Sequence, residues 1–201
     1  MQIDTYKTLA DKSESYFKDK SSKFYGFAYP VKTEDDVKII LEEIKKKFFD
    51  ARHHCYAYSL GVDKKCKYRI NDDGEPSSSA GRPIYGQIQS YQLTDVLIVV
   101  VRYFGGIKLG IPGLINAYKT AAKEAIENNQ IIEKIITSNA VISCKYENVN
   151  LAMKFIKDEN LNVISQDYDN DKLNITVEIR NSKLALISEK IDVIYGLELI
   201  E

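Results

Sequence analysis

Thr94-Asp95-Val96-Leu97-Ile98-Val99-Val100-Val101-Arg102-Tyr103-Phe104-Gly105-Gly106-Ile107-Lys108-Leu109-Gly110-Ile111-Pro112-Gly113 is the stretch on which the reading of this chain turns. Val96 to Val101 is short, unbroken and rich in β-branched residues, the pattern of a strand buried on both faces. Beyond the glycines, Leu114, Tyr118, Ala121, Ala122, Ala125 and Ile126 recur at helical spacing, which predicts a helix over Leu114 to Glu127 with one buried face. Strand, glycine turn and helix make a unit that presents backbone N–H groups to an anion. Arg102 and Lys108 add positive charge beside it. Gly105 to Gly110 has the internal spacing of a GxxxxG phosphate loop, but Ile111 and Pro112 stand where that loop needs Lys and Ser/Thr. The glycines do not fall as GxGxxG either. Three uses stay open: phosphate-backbone contact, a structural turn whose glycines supply positive φ, and docking on another protein.

Upstream, Met1 to Lys20 reads as a strand and a short helix, or as an arm. Lys23 to Val31 has strong β propensity. Thr33 offers an N-cap, with Glu34, Asp35 and Asp36 in the first turn of a helix striped by Val37, Ile40, Leu41, Ile44 and Phe48 and ending in Lys45, Lys46 and Lys47. His53 to Gly61 is a strand with Cys55, Ala57 and Ser59 on one face and Tyr56, Tyr58 and Leu60 on the other. Gly61-Val62-Asp63 is a turn, and Cys66 to Ile70 the returning strand of a hairpin. Asn71 to Arg82 has no periodicity and is dense in turn formers, a loop long enough to point to function or disorder. Pro83 suits a first helical position, so Ile84 to Gln92 reads as a short helix.

Downstream, Asn139 to Tyr146 alternates as a strand, and Val149 to Glu159 has a helical stripe. Leu161 to Gln166 and Leu173 to Ile179 are strands joined at Asp169-Asn170-Asp171. Leu184 to Val193 is a helix and Leu197 to Ile200 a last strand. The order β-α-β-β-α-β is the ferredoxin-like pattern. The expected architecture is α+β in two domains, 1–137 and 138–201. Charge supports the division: 21 Lys/Arg against 18 Asp/Glu before Ser138, and 7 against 11 from there on.

Over 201 residues with a net charge of −1, no apolar run reaches membrane-span length and the N-terminus lacks a secretory pattern, so no membrane partner is expected. Three dispersed cysteines form neither a disulfide framework nor a CxxC pair, and a reducing, cytoplasmic compartment is expected. His53 and His54 are neighbours on a strand and face opposite ways, one packed and one exposed; no second ligand pair accompanies them, so no metal and no cofactor are expected. Asp72, Asp73 and Glu75 concentrate carboxylates in the loop, as a solvated turn or as acid–base groups. Ser77-Ser78-Ser79 lack a GxSxG elbow. Lys64, Lys65, Lys67 and Arg69 around Tyr68 form a solvated hairpin or a basic, stacking surface for nucleic acid.

Asp73-Gly74-Glu75-Pro76-Ser77-Ser78-Ser79-Ala80-Gly81-Arg82-Pro83, then Leu93-Thr94-Asp95-Val96, Val101 to Gly110 and Gly113-Leu114-Ile115-Asn116-Ala117-Tyr118, together resemble the YigZ/IMPACT family, as does Arg52-His53. The resemblance implies an N-terminal α+β domain like domain two of ribosomal protein five, and a C-terminal ferredoxin-like domain similar to one in elongation factor G. Eukaryotic members are translation regulators associated with ribosomes, and bacterial members are taken as nucleic-acid or ribosome binders. The eukaryotic partner-binding domain that precedes this region is not in this sequence, so the kinase-pathway role is not carried over. Pro112 stands where many members have Gly, Asn116 where many have Arg, and Ser78 where Gly is common.

The expected function is therefore a translation-linked RNA or ribosome binder without catalysis, with a protein partner in the translation machinery as a further expectation. Its contact surface is expected at Arg52, His53, Arg82, Arg102, Gly105, Gly106, Lys108, Gly110 and Gly113. The alternative is an enzyme on a small phosphorylated or nucleotide ligand, using Asp72, Asp73, Glu75, Ser77 and His53. That alternative needs a single closed pocket bringing the acidic loop onto the glycine turn, and the first needs an open, positive face. A pure protein-interaction module would show an exposed apolar patch instead.

Overall fold

The computed structural model describes residues 4–62, 66–169 and 171–200. The expectations that touch Ile3, Asp63, Lys64, Lys65 and Asn170 lie outside the described residues. The chain forms two compact units, residues 6–134 in one and residues 135–200 with Asp4 and Thr5 in the other. The fold is α+β throughout. Among the described residues no helix is long and apolar enough to cross a membrane.

Residues 6–134 are built on a five-stranded antiparallel sheet in the order β2-β3-β6-β4-β5, formed by β2 (Ser13–Asp19), β3 (Ser22–Pro30), β6 (Val96–Tyr103), β4 (His53–Leu60) and β5 (Lys67–Asn71). A second, two-stranded sheet pairs β1 (Thr5–Leu9) with β7 (Ile131–Ile135). Among the described residues, the amino-terminal segment thus supplies strands β1 and β2, with no helix before Glu34. Val96 to Val101 are all fully buried because the central strand is covered on both sides. Val96, Ile98 and Val100 pack with α2 (Gly81–Ser90) and α3 (Gly110–Glu127); Leu97, Val99 and Val101 pack with α1 (Glu34–Lys47). The faces expected for β4 are the ones observed, Cys55 and Ala57 on the α2/α3 side and Tyr56, Tyr58 and Leu60 on the α1 side.

The helix starts are set by side chains. Thr33 caps α1 in a capping box: Asp36 N donates to Thr33 Oγ1 (3.1 Å), and Thr33 N donates to Asp36 Oδ2 (2.9 Å). The helix α2 begins at Gly81, two residues before Pro83, because a remote carboxylate does the capping. Asp72 Oδ1 accepts from Ala80 N (3.0 Å) and Gly81 N (2.8 Å), and Asp72 Oδ2 from Ser78 N (2.8 Å). The helix α3 also starts earlier than its apolar stripe, at Gly110, so the end of the glycine turn is already its first turn. Ala117, Ala121 and Ala125 let α3 lie close to the sheet, where Ser13 Oγ donates to Ala125 O (2.6 Å) and Ser15 Oγ to Ala121 O (2.7 Å).

The second unit has a four-stranded antiparallel sheet in the order β11-β8-β10-β9, from β8 (Thr137–Lys145), β9 (Asn162–Asp169), β10 (Lys172–Arg180) and β11 (Leu197–Ile200). Its helices are α4 (Val149–Asp158) and α5 (Asn181–Asp192). Element order and strand order together are ferredoxin-like. Ala140, Ile142, Leu173, Ile175, Val177 and Ile179 make its core with Phe155 and Ile187.

Candidate functional site

The apolar phase that buries Val96, Ile98 and Val100 carries on to Arg102, which places a guanidinium on the core-facing side of β6. Arg102 is 5% exposed. A cation in that position needs a carboxylate, and the acidic loop supplies it: Arg102 Nη1 donates to Glu75 Oε1 at 2.6 Å, with both side chains buried. Tyr118, fully buried on α3, donates its hydroxyl to the same Oε1 at 2.8 Å. The guanidinium carbon lies over the rings of Phe24 and Phe104, 5.5 Å from each centroid. Among the described residues, Nη2 reaches only Ser22 Oγ, at 3.5 Å. Among the described residues, Nε of Arg102 is the one buried side-chain nitrogen or oxygen without a hydrogen-bond partner.

Above this pair lies a cavity of about 360 Å³. Arg52, His53, Glu75, Arg102, Lys108 and Gly110 line it, with apolar walls from Pro76, Phe104, Leu109, Ile111 and Leu114. Arg52 and Lys108 are exposed at the mouth. The N-terminus of α3 opens at Gly110, and its N-cap residue, Leu109, supplies no side-chain cap; Gly110, Ile111 and Gly113 carry the N–H groups of this first turn, since Pro112 has none. Counting His53 as neutral, three cations face one carboxylate, and that carboxylate is already paired with Arg102. The surplus charge at the mouth is positive.

His53 sits on the cavity side of β4 and His54 on the other. His54 is buried, with Nε2 3.1 Å from Phe48 O. His53 Nδ1 lies 2.8 Å from the carbonyl oxygen of Asp73, and its Nε2 lies 3.9 Å from Glu75 Oε1. Cys55 Sγ is 3.0 Å from Asp72 O and 3.3 Å from the Tyr118 hydroxyl. Burial pushes the Cys55 thiol well above its usual range, against the opposing Tyr118 hydrogen bond, and pushes the Tyr118 phenol up as well, reinforced by Cys55 and Glu75. Neither is an ionised nucleophile.

The structure thus brings Arg52, His53, Glu75, Arg102, Lys108 and Gly110 to one cavity and leaves the other expected residues off its lining. Arg82 is exposed on α2. Asp72 is spent on backbone capping, and Asp73 Oδ2 accepts from His54 N at 2.7 Å. Ser77 is exposed, and Ser79 is buried with its hydroxyl on Pro76 O. Gly106 (φ +87°) and Gly110 (φ +73°) take the left-handed conformation that a turn before a helix requires. Gly105 is needed for space: a Cβ there would overlap the backbone of Ser21 and Ser22. Arg102 is not a surface cation, and the sequence contained the sign of it, since Arg102 continues the buried alternation of its strand. Tyr118 and Cys55, legible only as core residues, are the members that sequence reasoning missed. Among the described residues, no group of three His, Cys, Asp or Glu side chains is placed to hold a metal ion.

Residues 20–126 match the model of the Impact N-terminal domain. The chain is 36% identical to the IMPACT family member YvyE of Bacillus subtilis over 132 residues, which span 66% of this chain and 60% of that protein. It is 30% identical to an IMPACT family member of Haemophilus influenzae over 163 residues, 80% of this chain and 79% of that one. A solved structure described as a hypothetical protein superposes with a TM-score of 0.76 at 26% identity, covering 99% of this chain and 98% of that one. With its glycine turn, acidic loop and the strands that carry them all inside the matched region, the chain belongs to the IMPACT family.

Proposed function

We propose that this protein is a translation-linked RNA binder that receives a phosphate-bearing segment of single-stranded RNA at the cavity of residues 6–134, by binding rather than catalysis. The observation that carries the reading is the mouth of the cavity. Arg52 and Lys108 stand exposed beside the uncapped start of α3, over a floor whose own charges cancel. Backbone N–H groups and unpaired cations are what a phosphate takes. Phe104, 46% exposed, offers a ring for a base. The link to translation is what the family resemblance implies, by way of its eukaryotic members.

A second reading, an enzyme on a small phosphorylated ligand, is favoured by one observation: the acidic loop and the glycine turn do meet in a single cavity. Its proposed machinery is mostly engaged elsewhere, however. Asp72 and Asp73 hold backbone N–H groups, the serines lie off the cavity, and only His53 and Glu75 remain.

Sucrose-gradient fractionation of a lysate at low and high salt tests the proposal. Co-migration with ribosomes at low salt, released by salt, is expected. The double variant Arg52→Ala/Lys108→Ala should weaken binding to single-stranded RNA and flatten its salt slope by about 0.7 for each phosphate no longer neutralised. Migration as free protein at both salt concentrations, or an unchanged slope in the variant, would overturn the reading.

A further inference from the structure

The floor of the cavity holds two acceptors with no donor between them. The carbonyl oxygen of Asp73 only accepts, so the 2.8 Å contact with His53 Nδ1 fixes the proton on Nδ1. In the neutral ring, Nε2 is then a bare acceptor, and it lines the cavity. The tautomer is built in by the loop. Asp73 N donates to Asn71 Oδ1 (2.7 Å), Asp73 Oδ2 accepts from His54 N (2.7 Å), and Asp73 is held at φ +41°. Glu75 faces His53 across 3.9 Å. Both hydrogen bonds that Glu75 accepts, from Arg102 and Tyr118, fall on Oε1. Oε2 receives neither.

Largely buried acceptors gain from a donor, and a phosphate dianion has none to give. From this geometry we infer that the cavity recognises the sugar of its ligand: Glu75 and His53 Nε2 accept from the vicinal 2′,3′-hydroxyls of a 5′-phosphorylated ribonucleoside. The inference rests on the phosphate reading above and goes further by naming the part of the nucleic acid that enters. A diol provides two adjacent O–H donors, one for each of two neighbouring acceptors. The paired N–H donors of a guanine edge would instead want both oxygens of one carboxylate, and Oε1 is already taken twice. The apolar walls of Phe104, Ile111 and Leu114 suit the base, and a volume of about 360 Å³ suits a single nucleotide. Inside an RNA chain the 3′-oxygen is esterified, so a free diol has two sources, a free 5′-ribonucleotide or the 3′-terminal residue of an RNA.

The test is titration of the full chain with paired probes. These are adenosine 5′-monophosphate and its 2′-deoxy analogue, and a short single-stranded RNA ending in a 2′,3′-diol, in a 2′-deoxy residue or in a 3′-phosphate. Each probe with the diol should bind about tenfold or more tightly than its partner without it, since the analogue leaves acceptors unpaired. His53→Ala, at a partly exposed position, should erase most of that preference, bringing each diol probe close to the affinity of its partner without the diol. Diol preference confined to the mononucleotide identifies a free nucleotide as the source, and preference in the RNA identifies its 3′ end. Equal, salt-sensitive binding of every RNA would overturn the sugar inference and leave the phosphate reading standing. Binding of no RNA and no nucleotide at low salt would overturn both, and capture of a protein alone would do the same.

Discussion

Glu75→Ala should be among the most damaging single substitutions in residues 6–134, and its cost follows from what it strands. Arg102 is 5% exposed, its one strong contact is the 2.6 Å bond to Glu75, and its remaining contact to Ser22 Oγ is 3.5 Å long. Removing one partner of a buried ion pair costs about 3–5 kcal/mol. Tyr118, fully buried, is left without its acceptor too, worth about 1–3 kcal/mol. The two penalties share an atom and do not add fully, so about 4–6 kcal/mol is expected, against a total of about 5–15 kcal/mol for a domain. Replacing both charges, Glu75→Gln with Arg102→Met, should return to within about 2 kcal/mol of the parent, because the stranded cation is gone. Amide hydrogen exchange of β6 in the full chain reads this directly, since a central strand buried on both faces opens only with the whole unit. A cost below about 1 kcal/mol for Glu75→Ala, with β6 protection unchanged, would refute the argument and mean that Arg102 finds water.

Three further outcomes are expected. The N–H groups of Lys32 and Thr33 and the Thr33 hydroxyl hold the Asp36 carboxyl below its usual range. Its support of the α1 start is therefore present above the unfolded-state pKa and lost as pH falls through the folded one; Asp36→Asn should remove that pH dependence from α1 exchange rates, and persistence of the dependence would assign it elsewhere. Gly105→Ala should lower the melting temperature by several degrees because its methyl meets the Ser21 and Ser22 backbone, whereas Gly86→Ala, with open space around it, should not. Brief alkylation of the folded protein should label exposed Cys66 and spare buried Cys55 and Cys144; rapid labelling of Cys55 would contradict the packing under the cavity.

The local pattern of residues determined most of the elements. The β-branched run of Val96 to Val101 could only be a doubly buried strand, the Thr33 cap and the stripe of α1 set that helix, and the C-terminal alternation spelled out a ferredoxin-like order before any strand was paired. These are signals of short range, carried by side-chain period and capping chemistry. Tertiary structure decided what such signals cannot hold. The α2 start follows Asp72, nine residues before Gly81, and the residues 131–135 became a strand only by pairing with residues 5–9. The cavity depends on contacts across 27 residues between Glu75 and Arg102 and 43 between Glu75 and Tyr118. Arg102 looked like a surface cation by composition and became the buried partner of Glu75, because the sheet that buries Val100 also buries the next residue on its face. Charge and spacing marked the segments that line this cavity, and only the packing of the loop against α3 decided which charges stand at its mouth and which pair in its floor.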